Sequence, residues 1–293
     1  MARDAKQSNH WDYTVVTEKM YTPDGQETGW LCNRRSDIQG TEGVLGVCTE
    51  QYGLVQNRDL FTAADEAFES RGMTPTKKEV IVSNNGARVR GVYDFLENQV
   101  KVPQVGDVLG LRLVVNNSFD RSLRLAFVVG LVRLVCTNGM QSLQAEFNLT
   151  KRHSKKTSIG DLITDEALDN ALNAFNNTGA LFSSLANVQL DQEKGLNVLQ
   201  NLTKKGTLSE KLRESIAKIW NSPTYKEDEG RNLYNLYNAT TQHLTQDVAP
   251  ERFEYSQKVD KAVLTEFEHA VQNRGKLDKL IVAPQVPALI KNN

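Results

Sequence analysis

The pattern of apolar and polar residues changes its period near residue 157. Before that point, short runs of alternating apolar and polar residues are separated by turn-forming residues, which is typical of β-strands. After it, apolar residues recur every three or four positions, as they do in amphipathic helices. The pattern predicts an α+β protein, with an antiparallel β-sheet and a packed helix in the N-terminal half and a helical C-terminal half.

Tight turns divide the N-terminal half into hairpins. Residues 22–25 (Thr-Pro-Asp-Gly) and 84–86 (Asn-Asn-Gly) favour such turns, so the strands that flank each of them are predicted to pair. A helix capped by Asn57 is predicted over residues 57–70. The predicted strands cover residues 13–21, 27–34, 44–49, 52–56, 79–83, 87–95, 108–116, 122–137 and 142–150.

The helical half is divided by breakers and caps. A first helix over 161–175 is predicted to end at residues 176–179 (Asn-Asn-Thr-Gly), and a last one covers 256–274. Between them, helices are predicted to begin at Asp191, at a capping box over residues 207–210, and at Ser222-Pro223.

This division predicts three regions. We expect a β-rich domain with a basic sheet face over residues 1–156, an α-helical region over residues 157–280 and a flexible tail over residues 281–293. The pattern leaves open whether the helical region packs on the sheet or on a neighbouring subunit.

Charge is distributed unevenly along the chain. The 35 basic and 36 acidic residues give a net charge of −1, which by itself argues against a polyanionic ligand. Residues 1–85 carry a net charge of −4, residues 86–156 of +6 and residues 157–293 of −3. Because phosphate neutralisation is local, the basic middle segment favours nucleic-acid binding despite the neutral total.

Arginines in the predicted strands form one part of a candidate basic face. Arg88 and Arg90 share one side of their strand, and Arg124 points away from the apolar positions of another. A bulge at Gly130 would shift the alternation by one residue and bring Arg133 onto the same open side.

Turn and loop residues extend this face. Phe119 lies in a turn and is expected to stack on a base, and His153 is expected to contact a phosphate or the backbone. The other residues expected to neutralise phosphates here are Arg121, Lys151, Arg152, Lys155 and Lys156. The alternative interpretation is an ordinary half-exposed sheet whose outward arginines pair with acidic helices.

Enzyme signatures are weak. The four histidines lack metal-ligand spacing, and neither phosphate-binding glycine motifs nor a nucleophile elbow occurs, so we predict no cofactor and no metal. Cys136 fits a buried strand-end residue better than a nucleophile. Asp107 and Asp120 allow a metal-dependent nuclease, although each also fits a turn-forming role.

The predicted location is the cytoplasm. No run of 18 apolar residues occurs, so no membrane span is expected. The first 13 residues lack the apolar core of a signal peptide, and the three cysteines are widely spaced, as in proteins of reducing compartments.

Several segments together resemble a known family. In chain order they are residues 51–57 (QYGLVQN), 106–107 (GD), 117–122 (NSFDRS), 132–140 (VRLVCTNGM), 151–153 (KRH) and 232–241 (NLYNLYNATT). This order is similar to that of the phage/plasmid-like family named domain of unknown function 932, over roughly residues 40–245. The turn reads Asp120-Arg121-Ser122 where the family leads us to expect Asp-Gly-Ser, which adds a positive charge.

The resemblance implies a phage or prophage origin and a bacterial host cell, where such genes often serve DNA replication or recombination. The expected function is single-stranded DNA binding or annealing by a homo-oligomer, in a ring or a filament, without catalysis. The expected strand is DNA, and the sequence does not exclude RNA. The analogy with single-strand annealing proteins is one of fold outline alone.

Two other functions remain open at this stage. The chain could be a protein–protein module, such as a phage factor that inhibits a host protein, and would then use the amphipathic helices after residue 207. A weaker alternative is the metal-dependent nuclease built on Asp107 and Asp120.

Overall fold

The computed structural model describes residues 10–134, 148–249 and 252–283. Two β-sheets in the first half and helices in the second confirm the predicted α+β class. The first sheet is a meander of β1 (Val15–Tyr21), β2 (Glu27–Arg35) and β3 (Val44–Cys48). The second has the strand order β4 (Lys77–Ser83), β5 (Arg88–Val102), β6 (Asp107–Ser118), β7 (Leu125–Arg133) and β8 (Asn148–Lys151).

Both predicted hairpins are confirmed. β1 pairs antiparallel with β2, and Gly25 in the connection has φ of 85°, which a glycine adopts without steric cost. β4 pairs antiparallel with β5. In the turn between β4 and β5, Asn84 and Asn85 have φ of 51° and 53°, a region in which asparagine is one of the few tolerated residues.

Helix α1 (Asn57–Ser70) packs on the larger sheet through its aromatic side chains. The ring of Phe68 contacts the rings of Tyr93, Phe95 and Phe127, so the predicted packed helix is confirmed. The predicted cap is wrong, because Gln56 occupies the N-cap position and the Asn57 side chain is buried. The strand predicted over residues 52–56 is also wrong, because this segment is irregular.

The second half contains six described helices: α2 (Asp165–Ala186), α3 (Gln192–Lys204), α4 (Glu210–Asn221), α5 (Leu233–Gln242), α6 (Phe253–Gln272) and α7 (Arg274–Ile281). The predicted break at residues 176–179 is wrong, since α2 continues through it. A Cβ on Gly179 would lie 3.3 Å from the Cβ of Val100, so this glycine permits close packing.

The caps of these helices are confirmed in part. The Asp191 side chain accepts from the backbone N–H of Lys194 at 2.7 Å, as a cap of α3 should. Ser209, rather than Thr207, caps α4, and α5 begins after Asn232 rather than at Ser222. The helix predicted over 256–274 corresponds to α6, which ends at Gln272, and a further helix that was not predicted, α7, begins after Asn273.

The chain forms two compact units that interleave along the sequence. Unit 1 comprises the described residues of Met1–Glu97, Leu111–Val129 and Glu146–Asn173, and unit 2 those of Asn98–Gly110, Gly130–Ala145 and Ala174–Asn293. The division therefore does not follow the boundary predicted after residue 156, because β5, β6 and β7 each contribute residues to both units. Most of the predicted tail lies outside the described residues.

Candidate nucleic-acid interface

A turn between β6 and β7 forms the centre of the candidate interface in unit 1. Asn117, at the end of β6, donates to the Val55 carbonyl and to Oδ1 of Asn57, both at 2.9 Å. The Ser118 hydroxyl donates to the Leu123 carbonyl at 3.0 Å. These buried hydrogen bonds hold the turn in one conformation.

Asp120 completes this turn. Its carboxylate accepts from the backbone N–H of Ser122 and from the side chain of Asn84, both at 2.9 Å, and Arg88 lies 3.3 Å away. Burial opposes ionisation of Asp120, but the hydrogen bonds and the arginine together lower its pKa. The carboxylate is therefore charged at neutral pH and is paired with Arg88 of β5.

Six exposed cations surround this turn, and we call them the basic rim: Arg121, Arg124, Lys151, Arg152, Lys155 and Lys156. Within the described residues, none of the six makes a salt bridge. The register of β7 and β8 pairs Leu125 with Lys151, so Arg124 and Arg152 each lie one residue beyond the last pair, at the same end of the two strands. The rim is therefore an array of positive charge that other side chains leave accessible.

The loop after β8 is anchored by close backbone contacts. A Cβ on Gly53 would lie only 2.2 Å from the Ser154 carbonyl oxygen, so only glycine allows this approach. The Lys155 N–H donates to the Gln51 carbonyl at 3.2 Å. The rim residues of this loop consequently project from a fixed backbone.

His153 supports this loop from inside. Its ring stacks on Tyr52 with centroids 5.0 Å apart, and the Tyr52 hydroxyl donates to the Ser118 carbonyl at 2.5 Å. Burial lowers the pKa of His153, partly offset by the Gly53 carbonyl, which lies 3.3 Å from Nδ1. The imidazole is therefore neutral at neutral pH, and it positions the loop rather than adding charge to the rim.

Three residues of the predicted interface are buried, and their predicted exposure is wrong. Arg90 is 6% exposed and donates to Asn116 at 3.0 Å. Phe119 is fully buried, so it cannot stack on a base. Arg133 is 1% exposed because every residue of β7 is buried, so this strand has no open face. Arg88 stays partly accessible but pairs with Asp120.

Arg133 belongs to a buried charge cluster in unit 2. Its Nε lies 2.7 Å from Oδ2 of Asp107, and its Nη1 lies 2.6 Å from Oδ2 of Asp228. Tyr234 donates to Asp107 at 3.0 Å, and Asn238 donates to Asp228 at 2.9 Å. Burial alone would lower the pKa of Arg133, but the two carboxylates outweigh it and raise that pKa.

This cluster explains an unusual helix. All ten residues of α5 are buried, including Asn235, Asn238 and Gln242, although buried polar residues need hydrogen-bond partners. The cluster supplies such partners to Asn235 and Asn238. Its role is therefore to hold β6, β7, α5 and the 3-10 turn at Lys226–Asp228 together.

The carboxylates of the nuclease hypothesis have other partners. Asp107 binds Arg133 in unit 2, and Asp120 caps its own turn in unit 1. Across residues 10–134, 148–249 and 252–283, no group of three or more His, Cys, Asp or Glu side chains could hold a metal ion. Cys136, the other residue considered for catalysis, lies outside the described residues.

The helices of the protein–protein alternative use their apolar stripes internally. On α4, Leu212, Ile216 and Trp220 are buried, and on α6 the same is true of Val263 and Phe267. No observation on these helices favours an external partner over packing.

Sequence reasoning missed one residue near the rim, Trp30 on β2. Its side chain is 45% exposed, and the Cζ atom of Arg121 lies 5.9 Å from the centre of its ring. Trp30 lies outside the basic segment, so only its position among the polar residues 27–29 (Glu-Thr-Gly) could have indicated an exposed aromatic ring.

Comparison with known proteins gives a match to a family but no match to an individual protein. No curated protein and no solved structure matches the chain. Among the described residues, no helix combines the length and the apolar composition needed to cross a bilayer. A family model described as domain of unknown function (DUF932) matches residues 44–266, a span that includes the turn, the basic rim and the buried charge cluster. The chain therefore belongs to the DUF932 family.

Proposed function

We propose that this protein binds single-stranded nucleic acid through the basic rim and acts, without catalysis, as a phage-type binding or annealing protein in DNA recombination or replication. The observation that carries the proposal is the set of six exposed cations, without described ionic partners, on an anchored turn and loop. The setting would be the cytoplasm of a bacterial host, and the assembly a homo-oligomeric ring or filament.

The chemistry of the rim suits phosphates. Cations that are already paired must break those pairs before they bind an anion, whereas the rim cations have no such competitor among the described residues. Each phosphate neutralised by a lysine or arginine releases bound counterions, so binding is favoured by entropy and weakened by salt. The anchored loop reduces the ordering cost that binding would otherwise carry.

The rim differs from the face first expected from the alternation of β-strands. Arg90 and Arg133 are excluded by burial, and His153 supports the loop from inside. What remains is a band of charge at the end of β7 and β8 rather than a sheet surface. A nucleic-acid backbone that follows this band would leave the bases of its strand free for pairing, as annealing requires.

Fluorescence anisotropy with a labelled 40-nucleotide strand, in DNA and RNA forms, tests the proposal. We expect binding at 50 mM NaCl that weakens steeply at 200 mM, and a loss of at least tenfold in affinity for the double variant Arg152→Glu/Lys155→Glu. Lys211→Glu/Lys218→Glu on α4 makes the same charge change at exposed sites outside the rim and should have little effect.

Two results would contradict the proposal. One is the absence of binding by the unmodified protein at low salt. The other is an equal loss of affinity in the rim variant and in the α4 variant, which would mean that only total charge matters. Annealing of complementary strands and light scattering, measured on the same samples, then test the annealing and assembly parts separately.

A further inference from the structure

The outer face of the three-stranded sheet carries an exposed apolar surface in unit 1. Cys32 on β2 is the register partner of Val47 on β3, and Trp30 lies two residues before Cys32, so all three share one face. Trp30 is 45% exposed, Val44 41% and Val47 37%. On the opposite face, Asn33 and Cys48 are buried.

Arg121 connects this surface to the basic rim. Its Cζ lies 5.9 Å from the centre of the Trp30 ring, within the range of a cation–π contact. Arg121 is also a rim residue, three positions before Arg124 in the same turn. The accessible indole of Trp30 therefore lies beside an arginine of the basic rim.

We propose that Trp30 is a stacking platform for an unpaired base whose flanking phosphates bind the rim, and that it makes the protein select single strands over duplexes. This inference rests on the proposed function. Proteins that bind single strands combine a basic groove with aromatic rings on which bases stack. In a duplex the bases are already stacked and paired, so Trp30 gains little there. The basic rim alone does not distinguish single strands from duplexes.

The intrinsic fluorescence of the protein offers a direct measurement. The chain has three tryptophans. Trp11 packs edge-on against Phe61 with centroids 5.0 Å apart, and Trp220 is 1% exposed and donates to the Gln192 carbonyl. Trp30 is the most accessible of the three, so stacking of a base should quench its emission, and Trp30→Phe should remove the quenching.

Affinity measurements with two strands separate stacking from charge. The strands are a 40-nucleotide oligothymidine and an abasic strand of the same length, which keeps the phosphates and lacks the bases. We expect Trp30→Ala to weaken binding of oligothymidine by about 5- to 150-fold and to leave the affinity for the abasic strand unchanged. Trp30→Phe, which keeps an aromatic face, should recover most of the affinity. Trp11→Phe is the control.

Each failure has its own signature. If the unmodified protein binds in a salt-dependent way and Trp30→Ala binds each of the two strands as tightly as the unmodified protein does, the stacking inference is overturned and the proposed function stands. If the unmodified protein binds neither strand, the proposed function itself fails. If Trp30→Ala lowers the mass of the protein assembly, as measured by light scattering, and leaves the selectivity for single strands intact, a second copy of the chain covers the face. The inference is then again overturned.

Discussion

Arg133 and Asp107 share a fully buried hydrogen bond, 2.7 Å between Nε and Oδ2, and Asp228 takes the second bond of the same guanidinium. Charges this deep in a protein are costly unless each is paired, and removal of one partner leaves the others without compensation. These three residues form a triad within the buried charge cluster. The triad makes the stability of unit 2 depend on residues that are distant in the sequence.

Replacing Arg133 should test this dependence. We expect Arg133→Met to lower the free energy of unfolding by about 3–5 kcal/mol, because two buried carboxylates lose their counter-charge. Urea denaturation followed by circular dichroism measures the effect. Arg124→Met, the same change at an exposed position, should stay within about 0.5 kcal/mol of the unmodified protein. Equal effects of the two variants would contradict the structural role of the triad.

The salt dependence of binding should report the number of rim contacts. For a single strand, each phosphate contact contributes about −0.7 to the slope of log affinity against log salt concentration. Lys151→Ala should therefore make the slope less steep by about 0.7 if this lysine binds a phosphate. Titrations at four salt concentrations measure it, with Lys211→Ala as the control. An unchanged slope would remove Lys151 from the interface.

Gly53 offers a test of the anchored loop that leaves the charge unaltered. A Cβ at this position would clash with the Ser154 carbonyl, so Gly53→Ala should displace residues 151–156 and weaken strand binding severalfold. Gly160→Ala is the matched control, because its nearest neighbour would be Ser158 Oγ at 3.6 Å, an ordinary contact. Binding by Gly53→Ala equal to that of the control would show that the loop geometry does not matter.

Asp260 should make stability depend on pH. It is buried on α6, its one described hydrogen bond comes from Tyr237 at 2.7 Å, and burial raises its pKa to about 7. The unfolded chain loses this proton near pH 4. Between about pH 4 and pH 7 the folded protein holds a proton that the unfolded chain has released, so the free energy of unfolding contributed by Asp260 falls as pH rises and is lost above pH 7.

The variant Asp260→Asn removes this titration. We expect it to raise the free energy of unfolding at pH 8 by about 1–3 kcal/mol and to have much less effect at pH 4. Urea denaturation at both pH values measures this, and Asp278→Asn at an exposed position of α7 is the control. A variant that is less stable than the unmodified protein at pH 8 would contradict the assignment.

The features that the sequence predicts correctly are encoded locally. The turns at Gly25 and at Asn84-Asn85, the helix α1 and the cap at Asp191 each depend on residues close together in the chain. The exposure of the rim cations, as distinct from their role, belongs to this class too, because turns and loop ends are mostly exposed whatever packs around them.

The errors arise where distant residues decide. The alternation of apolar and polar residues assigns Arg133 to an open face only if β7 has an open face. β7 is buried throughout. In a strand that is buried on both sides, polar and apolar positions no longer distinguish a solvent face from a core face. Its partner Asp228 is 95 residues away. The contact between Arg121 and Trp30 likewise joins different parts of the chain, which no local pattern reports.

Arg121 adopts φ of 63°, a left-handed conformation that costs a residue with a Cβ about 1 kcal/mol and costs glycine almost nothing. Its position is also where the family resemblance led us to expect glycine. The structure therefore sets stability against affinity at one residue. Arg121→Gly should raise the thermal midpoint of unfolding while it weakens strand binding and the selectivity for unpaired bases. A chain that keeps arginine here accepts a less stable turn in exchange for a charge beside its exposed indole.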